Sequence, residues 1–210
     1  MSDVYVDEIH PRLTSRVGVI GGLSANNEIV ASSVIADTLS ARTFLYGAGD
    51  NISNISSGKV LQVVSATIDT MSTTTATTLT NTAVTAAITP SSISSKILIN
   101  VSFTAGSDNS ENNIMGFGLR RNATDIGLST TAEGSRKNVI TGPGQSDNNF
   151  LGSGSITYLD SPGTTSEVDY YLTFLARSGY TTQINKTGAD DNQAYTYRGS
   201  STITLMEISA

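Results

Sequence analysis

Three pairs of carboxylates lie close together in this sequence: Asp108 with Glu111, Asp160 with Glu167, and Asp190 with Asp191. Two carboxyl groups flanking one bond can act as acid and base, the arrangement that cleaves glycosides. All three pairs sit in or beside stretches of Gly, Asn and Ser, where acidic side chains serve turns and face water. His10 is the only histidine. A nucleophile triad needs a base held in a pocket by a third group. His10 stands in a polar N-terminal stretch before Pro11, which offers no such setting. The run Val17-Gly18-Val19-Ile20-Gly21-Gly22 lacks both the GxGxxG spacing and the Lys-Ser/Thr pair that phosphate cradles need. Residues 108–112, DNSEN, are rich in oxygen but lack the spacing and glycine of an EF-hand loop. These residues give no reason to expect an enzyme, a cofactor or a metal site.

The tyrosines point to a different chemistry. Tyr180, Tyr195 and Tyr197 flank loops that carry Asn185, Asp190, Asp191 and Asn192. An aromatic face beside Asn and Asp suits carbohydrate: the apolar side of a sugar stacks on the ring while its hydroxyls meet side-chain oxygens. Tyr180, Asn185, Asp190, Asp191, Tyr195 and Tyr197 are therefore candidate contacts for a glycan. Half-buried strand tyrosines with their hydroxyls in water fit the same residues.

The elements that must position such a site are β-strands. Residues 73–103, TTTATTLTNTAVTAAITPSSISSKILINVSF, are nearly free of charge and crowded with β-branched residues. Such residues lose rotamer freedom in a helix and suit a pleated surface. Strands are expected at residues 59–68, 74–79, 82–88, 95–105, 114–121, 124–128, 156–159, 167–177, 181–184, 194–197 and 201–208. In 95–105, Ile97, Ile99, Val101 and Phe103 share one face. In 167–177, Val168, Tyr170, Leu172, Phe174 and Ala176 do the same. Turn chemistry marks 106–113 and 141–149 as loops, and Asp160-Ser161-Pro162-Gly163 as a tight turn. Many short strands with turn signals and no βαβ alternation predict an all-β antiparallel sandwich or jelly roll.

Composition agrees. Charged residues are 14% of the chain, against a typical ~25%, and hydrophobic residues are 38%. The core must be thin, and thin cores are commonly reinforced by oligomerisation. The balance of 12 Lys+Arg against 18 Asp+Glu gives −6, with no basic stripe, so nucleic acid is not expected as a partner. There is no cysteine, hence no disulfide framework. No apolar run is long enough to span a membrane, and the opening MSDVYVDEIHPR predicts no secretory leader. Five Asn-X-Ser/Thr sequons, at Asn51, Asn54, Asn100, Asn122 and Asn185, are expected by chance in a chain this rich in those residues.

Residues 1–57 differ from the rest and read as an extended arm, joined near residues 47–58 to a β-domain over 58–210. Ile29, Val34, Leu39 and Phe44 fall five apart. A five-residue step turns a helix by ~140°, so these residues form no helical stripe. A short intertwined β-spiral shared by several chains fits the spacing. An irregular arm also fits, as does a short helix over 27–41 capped by Asn26 or Asn27.

The segments GKVLQVVSATIDT, ITPSSISSKILINVSFTAG, GFGLRRNATDIG, YLDSPGTTSEVDYYLTFLAR and STITLMEIS resemble a domain of tail-fibre-like virion proteins of marine and cyanobacterial tailed bacteriophages. The opening VYVDEIHPR…VGVIGG is similar to segments that precede such domains. The resemblance implies a jelly-roll-like head, a homotrimer and a place on the virion exterior. It implies an arm bound to other tail or capsid proteins, and host attachment through the β-domain. Loops 106–113, 141–149 and 186–193 are then the expected contact surface. The runner-up is a capsid decoration, head fibre or cement protein without a receptor role. A depolymerase would want clustered acids in a deep aromatic groove, and a cellular lectin-like adhesin would want a secretory leader.

Overall fold

A computed structural model describes residues 59–108, 115–131, 134–144 and 147–210. His10, the glycine-rich run, the arm residues Ile29, Val34, Leu39 and Phe44, the alternative helix over 27–41, and Glu111 lie outside the described residues. Among the described residues there is no helix.

Among the described residues, ten strands form two antiparallel sheets. They are β1 (Val60–Ile68), β2 (Ser72–Thr74), β3 (Thr80–Ile88), β4 (Lys96–Ser107), β5 (Met115–Arg121), β6 (Thr124–Ile126), β7 (Gly152–Asp160), β8 (Val168–Ala176), β9 (Thr182–Ile184) and β10 (Ser201–Ile208). The all-β, antiparallel sandwich expected from the sequence is present. One sheet runs β3-β8-β5-β6. In the other, β4 pairs with β7 along one edge. Its other edge is shared: β10 pairs with Lys96 to Ser102, then β9 takes Ala105 to Ser107. Beyond them, β1 pairs with β10 and β2 with β9. Two lanes of this sheet are thus each built from two strands with a break between them. The chain changes sheet at every connection except β1–β2, β5–β6 and β9–β10.

Alternation sets the core. Ile97, Ile99, Val101, Phe103 and Ala105 of β4 are buried, as are Val168, Tyr170, Leu172, Phe174 and Ala176 of β8. Met115, Phe117 and Leu119 of β5 complete the opposite wall. The rings of Phe103 and Phe117 meet between the sheets at 4.5 Å, tilted by 39°. Each fully buried Phe or Leu contributes about 1.5–3 kcal/mol. Phe103 also covers its cross-strand partner Gly154, where any Cβ would enter the ring. The β7 glycine therefore makes room for the largest side chain opposite it.

Local chemistry explains the irregular points. Between Asn81 and Thr85 the β3–β8 register shifts. There the Thr82 hydroxyl donates to Leu172 O at 2.8 Å and accepts from Val84 N at 3.0 Å, supplying bonds that the ladder skips. The Arg121-to-Thr124 hairpin turns at Asn122, whose φ of 50° is tolerated by Asn better than by most residues. After β7, Gly163 takes a φ of 67°, which glycine adopts readily, but residues 161–164 form neither turn nor bend, so the tight turn expected at Asp160-Ser161-Pro162-Gly163 is corrected to an open connection.

Four further expectations need correction. Residues 75–79 are a loop bent at Thr77 and Thr78, not a continuation of strand: β2 stops at Thr74, opposite Thr182, the first residue of its partner β9. Residues 194–197 form no strand; the segment folds on itself, with Thr196 N bonded to Gln193 O at 3.2 Å. Gly106 and Ser107 belong to β4 rather than to a loop, because β9 extends the ladder there. Asp160 is no solvated turn residue but the buried end of β7.

Candidate functional site

The β9–β10 connection carries most of the sequence-derived contact residues, and the fold divides them sharply. Asn185 follows β9 directly and is fully buried, at a φ of 62°. Its amide nitrogen donates to Ile68 O at 2.9 Å and Thr70 O at 3.1 Å, in the break between β1 and β2. Its side-chain oxygen accepts from Ser201 Oγ at 2.6 Å and Thr104 Oγ1 at 3.3 Å. Its own N–H donates to Thr104 O at 2.9 Å, and its carbonyl accepts from Gly199 N at 3.0 Å. Two carbonyls on one side and two hydroxyls on the other fix which way the amide points. Asn185 is a strut that closes the sheet where both double lanes break. The expectation of a glycan contact at Asn185 is corrected: its polar atoms are spent inside the fold.

The rest of the loop stands on this strut. Gly188 lies so close to Ser107 O that a Cβ would overlap it. Gln183 Nε2 donates to Gly188 O at 2.9 Å, and Ala189 N donates to Asn148 O at 2.7 Å, joining the loop to the 141–149 segment. Asp190 is paired twice, with Lys186 Nζ at 3.1 Å and with the Arg198 guanidinium. Arg198 first, then Lys186, holds its carboxyl below the usual range. Asp190 therefore pins the loop's two limbs together across the Lys186–Arg198 bridge.

Asp190, Asp191, Asn192, Gln193, Thr196, Tyr197 and Arg198 line a groove of about 260 Å³. Tyr197 is 55% exposed and Tyr195 53%. The fold thus brings Asp190, Asp191 and Tyr197 to one polar groove, with Tyr195 exposed two residues away. Tyr180 is not in that groove. It follows β8, where the Arg177 guanidinium lies over its ring at 5.6 Å.

Of the carboxylate pairs, Asp160 and Glu167 are parted by burial, and Glu111 lies outside the described residues. Glu167 is exposed, whereas Asp160 is buried and accepts from Arg121 Nη1 at 2.9 and 3.0 Å and from the Tyr170 hydroxyl at 2.7 Å. Burial, reinforced by the Asp160 carboxylate, pushes the Tyr170 phenol well above its ordinary value, so it stays a donor. Asp108 accepts from Thr181 N at 2.7 Å and so ties the end of β4 to the start of β9. No group of three or more His, Cys, Asp or Glu side chains among the described residues has the geometry to hold a metal ion. No described helix is long and apolar enough to cross a membrane.

Sequence reasoning passed over Glu207. It takes an inward position of β10 after Ile203 and Leu205, and is fully buried. Its carboxylate accepts from Ser91 N at 2.7 Å, Ser91 Oγ at 2.6 Å and Gln62 Nε2 at 2.7 Å. Burial alone would push its carboxyl up; the donors from Ser91 and Gln62 outweigh it and hold the group at about 2. Glu207 so clamps the β3–β4 turn onto β10. Below pH 4.5 the unfolded chain takes up a proton that the folded chain refuses until about pH 2. Stability is therefore full above that window and falls as pH drops through it, by about 2–3 kcal/mol. Urea midpoints measured between pH 7 and 2 should show this loss, and Glu207→Gln should flatten it. An equal slope in the variant would remove the clamp from the explanation.

The outer face of the β7-β4-β10-β1 sheet has a second feature. Val63, Met206, Leu98 and Leu159 are cross-strand neighbours in one row. Val63 is 56% exposed and Leu159 48%, while Met206 and Leu98 are half-buried. The next row is polar and self-satisfied: Ser65 bonds Thr204 at 2.9 Å, and Thr157 bonds Asn100 at 2.6 Å. Lys96, at one corner, is the only charge facing outward from these four strands. Comparison with protein-family models and with curated proteins finds no match.

Proposed function

We propose that this chain is a structural protein of a bacteriophage exterior, a tail fibre that works as a homotrimer. Its N-terminal arm attaches to other virion proteins and its β-domain contacts the host surface. The strand order β1-β10-β4-β7 over β3-β8-β5-β6, with repeated crossing between sheets, is the order of a jelly roll, and supports that description of the head. The observation that carries the reading is the exposed row Val63, Met206, Leu98 and Leu159 on an almost uncharged sheet face. A row of apolar side chains across a whole sheet is covered in most proteins. A neutral face needs no oppositely charged partner, so further copies of the same chain fit it. Closed three-fold symmetry lets three thin domains share what each alone leaves wet.

The loop groove at Asp191 and Tyr197 faces solvent on this rigid scaffold, as receptor-binding loops commonly do. The full chain, applied to an array of bacterial surface polysaccharides, is expected to bind a subset, and Tyr197→Ala to lose that binding at least tenfold. Binding to no glycan, together with attachment to purified capsids, would replace this reading with that of a capsid decoration, head fibre or cement protein.

A further inference from the structure

A larger cavity lies away from the tyrosine groove. Its volume is about 570 Å³, within the range of small-molecule sites. Met115, Val139, Leu175 and Ala176 give it an apolar floor, and Lys137 and Arg177 stand exposed in its wall. The hydroxyls of Thr77, Ser135 and Ser178 complete the lining, and no described lining residue is acidic.

The floor is built rather than incidental. Gly116 is packed so closely that a Cβ there would meet Val139 Cγ1 at 2.6 Å and Leu175 Cδ1 at 3.1 Å. Leu175 occupies an outward position of β8 yet is only 7% exposed, because the 135–139 segment folds over it. Among the described residues Lys137 and Arg177 meet no carboxylate, whereas Arg120, Arg121, Lys186 and Arg198 are engaged by carboxylates. Arg177 instead lies over the Tyr180 ring, which steadies it at the cavity mouth without neutralising it. In a chain of net charge −6, two cations at one apolar cavity with no carboxylate partner among the described residues stand out.

We infer that this cavity binds an acidic sugar, a uronic or sialic acid unit of a polysaccharide. The carboxylate meets Arg177 and Lys137, the ring hydroxyls meet the Ser and Thr side chains, and the apolar ring face rests on Val139 and Leu175. Arg suits a carboxylate through its planar fork of donors. This inference rests on the host-contact reading and gives it a ligand class, at a site separate from the Tyr197 groove.

Calorimetry on the full chain with glucuronic acid, N-acetylneuraminic acid, glucose and inorganic phosphate tests it. At least one acidic sugar should bind ten times or more tightly than glucose, weaken with added salt, and resist displacement by equimolar phosphate. The double variant Lys137→Ala, Arg177→Ala should lose that selectivity, and Tyr197→Ala should keep it. Both changes lie at exposed positions, and unaltered thermal unfolding would confirm that the fold persists. Equal binding of glucose, no binding of either acid, full competition by phosphate, or an unaffected double variant would each overturn the inference. Binding on the polysaccharide array with none to acidic sugars would refute this site alone and leave host contact standing.

Discussion

Replacing Asn185 with alanine is expected to destabilise the β-domain by about 3–5 kcal/mol, a larger effect than any single surface change. The side chain makes four hydrogen bonds in a fully buried position. Alanine leaves the Ile68 and Thr70 carbonyls and the Ser201 and Thr104 hydroxyls without those partners. Each stranded buried group costs about 1–3 kcal/mol, partly recovered where water enters. The left-handed backbone adds about 1 kcal/mol, because alanine tolerates a φ of 62° less well than Asn does. Thermal unfolding should shift down by about 6–20 °C, given the usual 2–4 °C per kcal/mol for domains of this size. Asn185→Gly removes the same hydrogen bonds but relieves the backbone, so it should be about 1 kcal/mol less damaging than alanine. A loss below about 1 kcal/mol for alanine would mean that the strut is not what closes the break between β1 and β2.

Introducing charge into the outward apolar row should dissociate the proposed homotrimer while leaving the folded domain intact. The double variant Val63→Asp, Leu159→Asp changes two exposed positions on the outer strands β1 and β7. Within one chain such changes cost little, on the order of 0.5 kcal/mol each. Inside an interface each carboxylate must be stripped of water without a partner, at several kcal/mol. The dissociation constant should rise by 100-fold or more, about 2.7 kcal/mol. Light scattering across a dilution series reads this directly, with far-UV circular dichroism as the control. A variant that stays oligomeric at the wild-type concentration would move the interface off this face.

The central strands were legible because alternation is local. Ile97, Ile99, Val101 and Phe103 declare their face within seven residues, and so do Val168 to Ala176. The sandwich class followed from many such segments. What stayed hidden depends on partners far along the chain. Residues 74–79 have the β-branched composition of a strand, yet β9 is too short to pair with more than Ser72 to Thr74. The two tyrosines at 195 and 197 imitate an alternating strand in a segment that folds on itself. Asn185 shows the sharpest limit. In sequence it is one Asn among many polar residues, as suited to a sugar as to the core, and only the meeting of β1, β4, β9 and β10 decides between them. Glu207 was more readable. A carboxylate in phase with Ile203 and Leu205 must either break the strand or find buried donors, and Ser91 and Gln62 supply them. Asp160, read as half of a carboxylate pair, is explained instead by Arg121 and Tyr170.

The measurement that bears most directly on the whole account is the solution mass of the full chain, by sedimentation equilibrium from micromolar to nanomolar concentration. The account predicts a single species at three times the 21.9 kDa of one chain, holding together on dilution. A stable, folded species of one chain's mass across that range, with Val63 and Leu159 open to water, would contradict it.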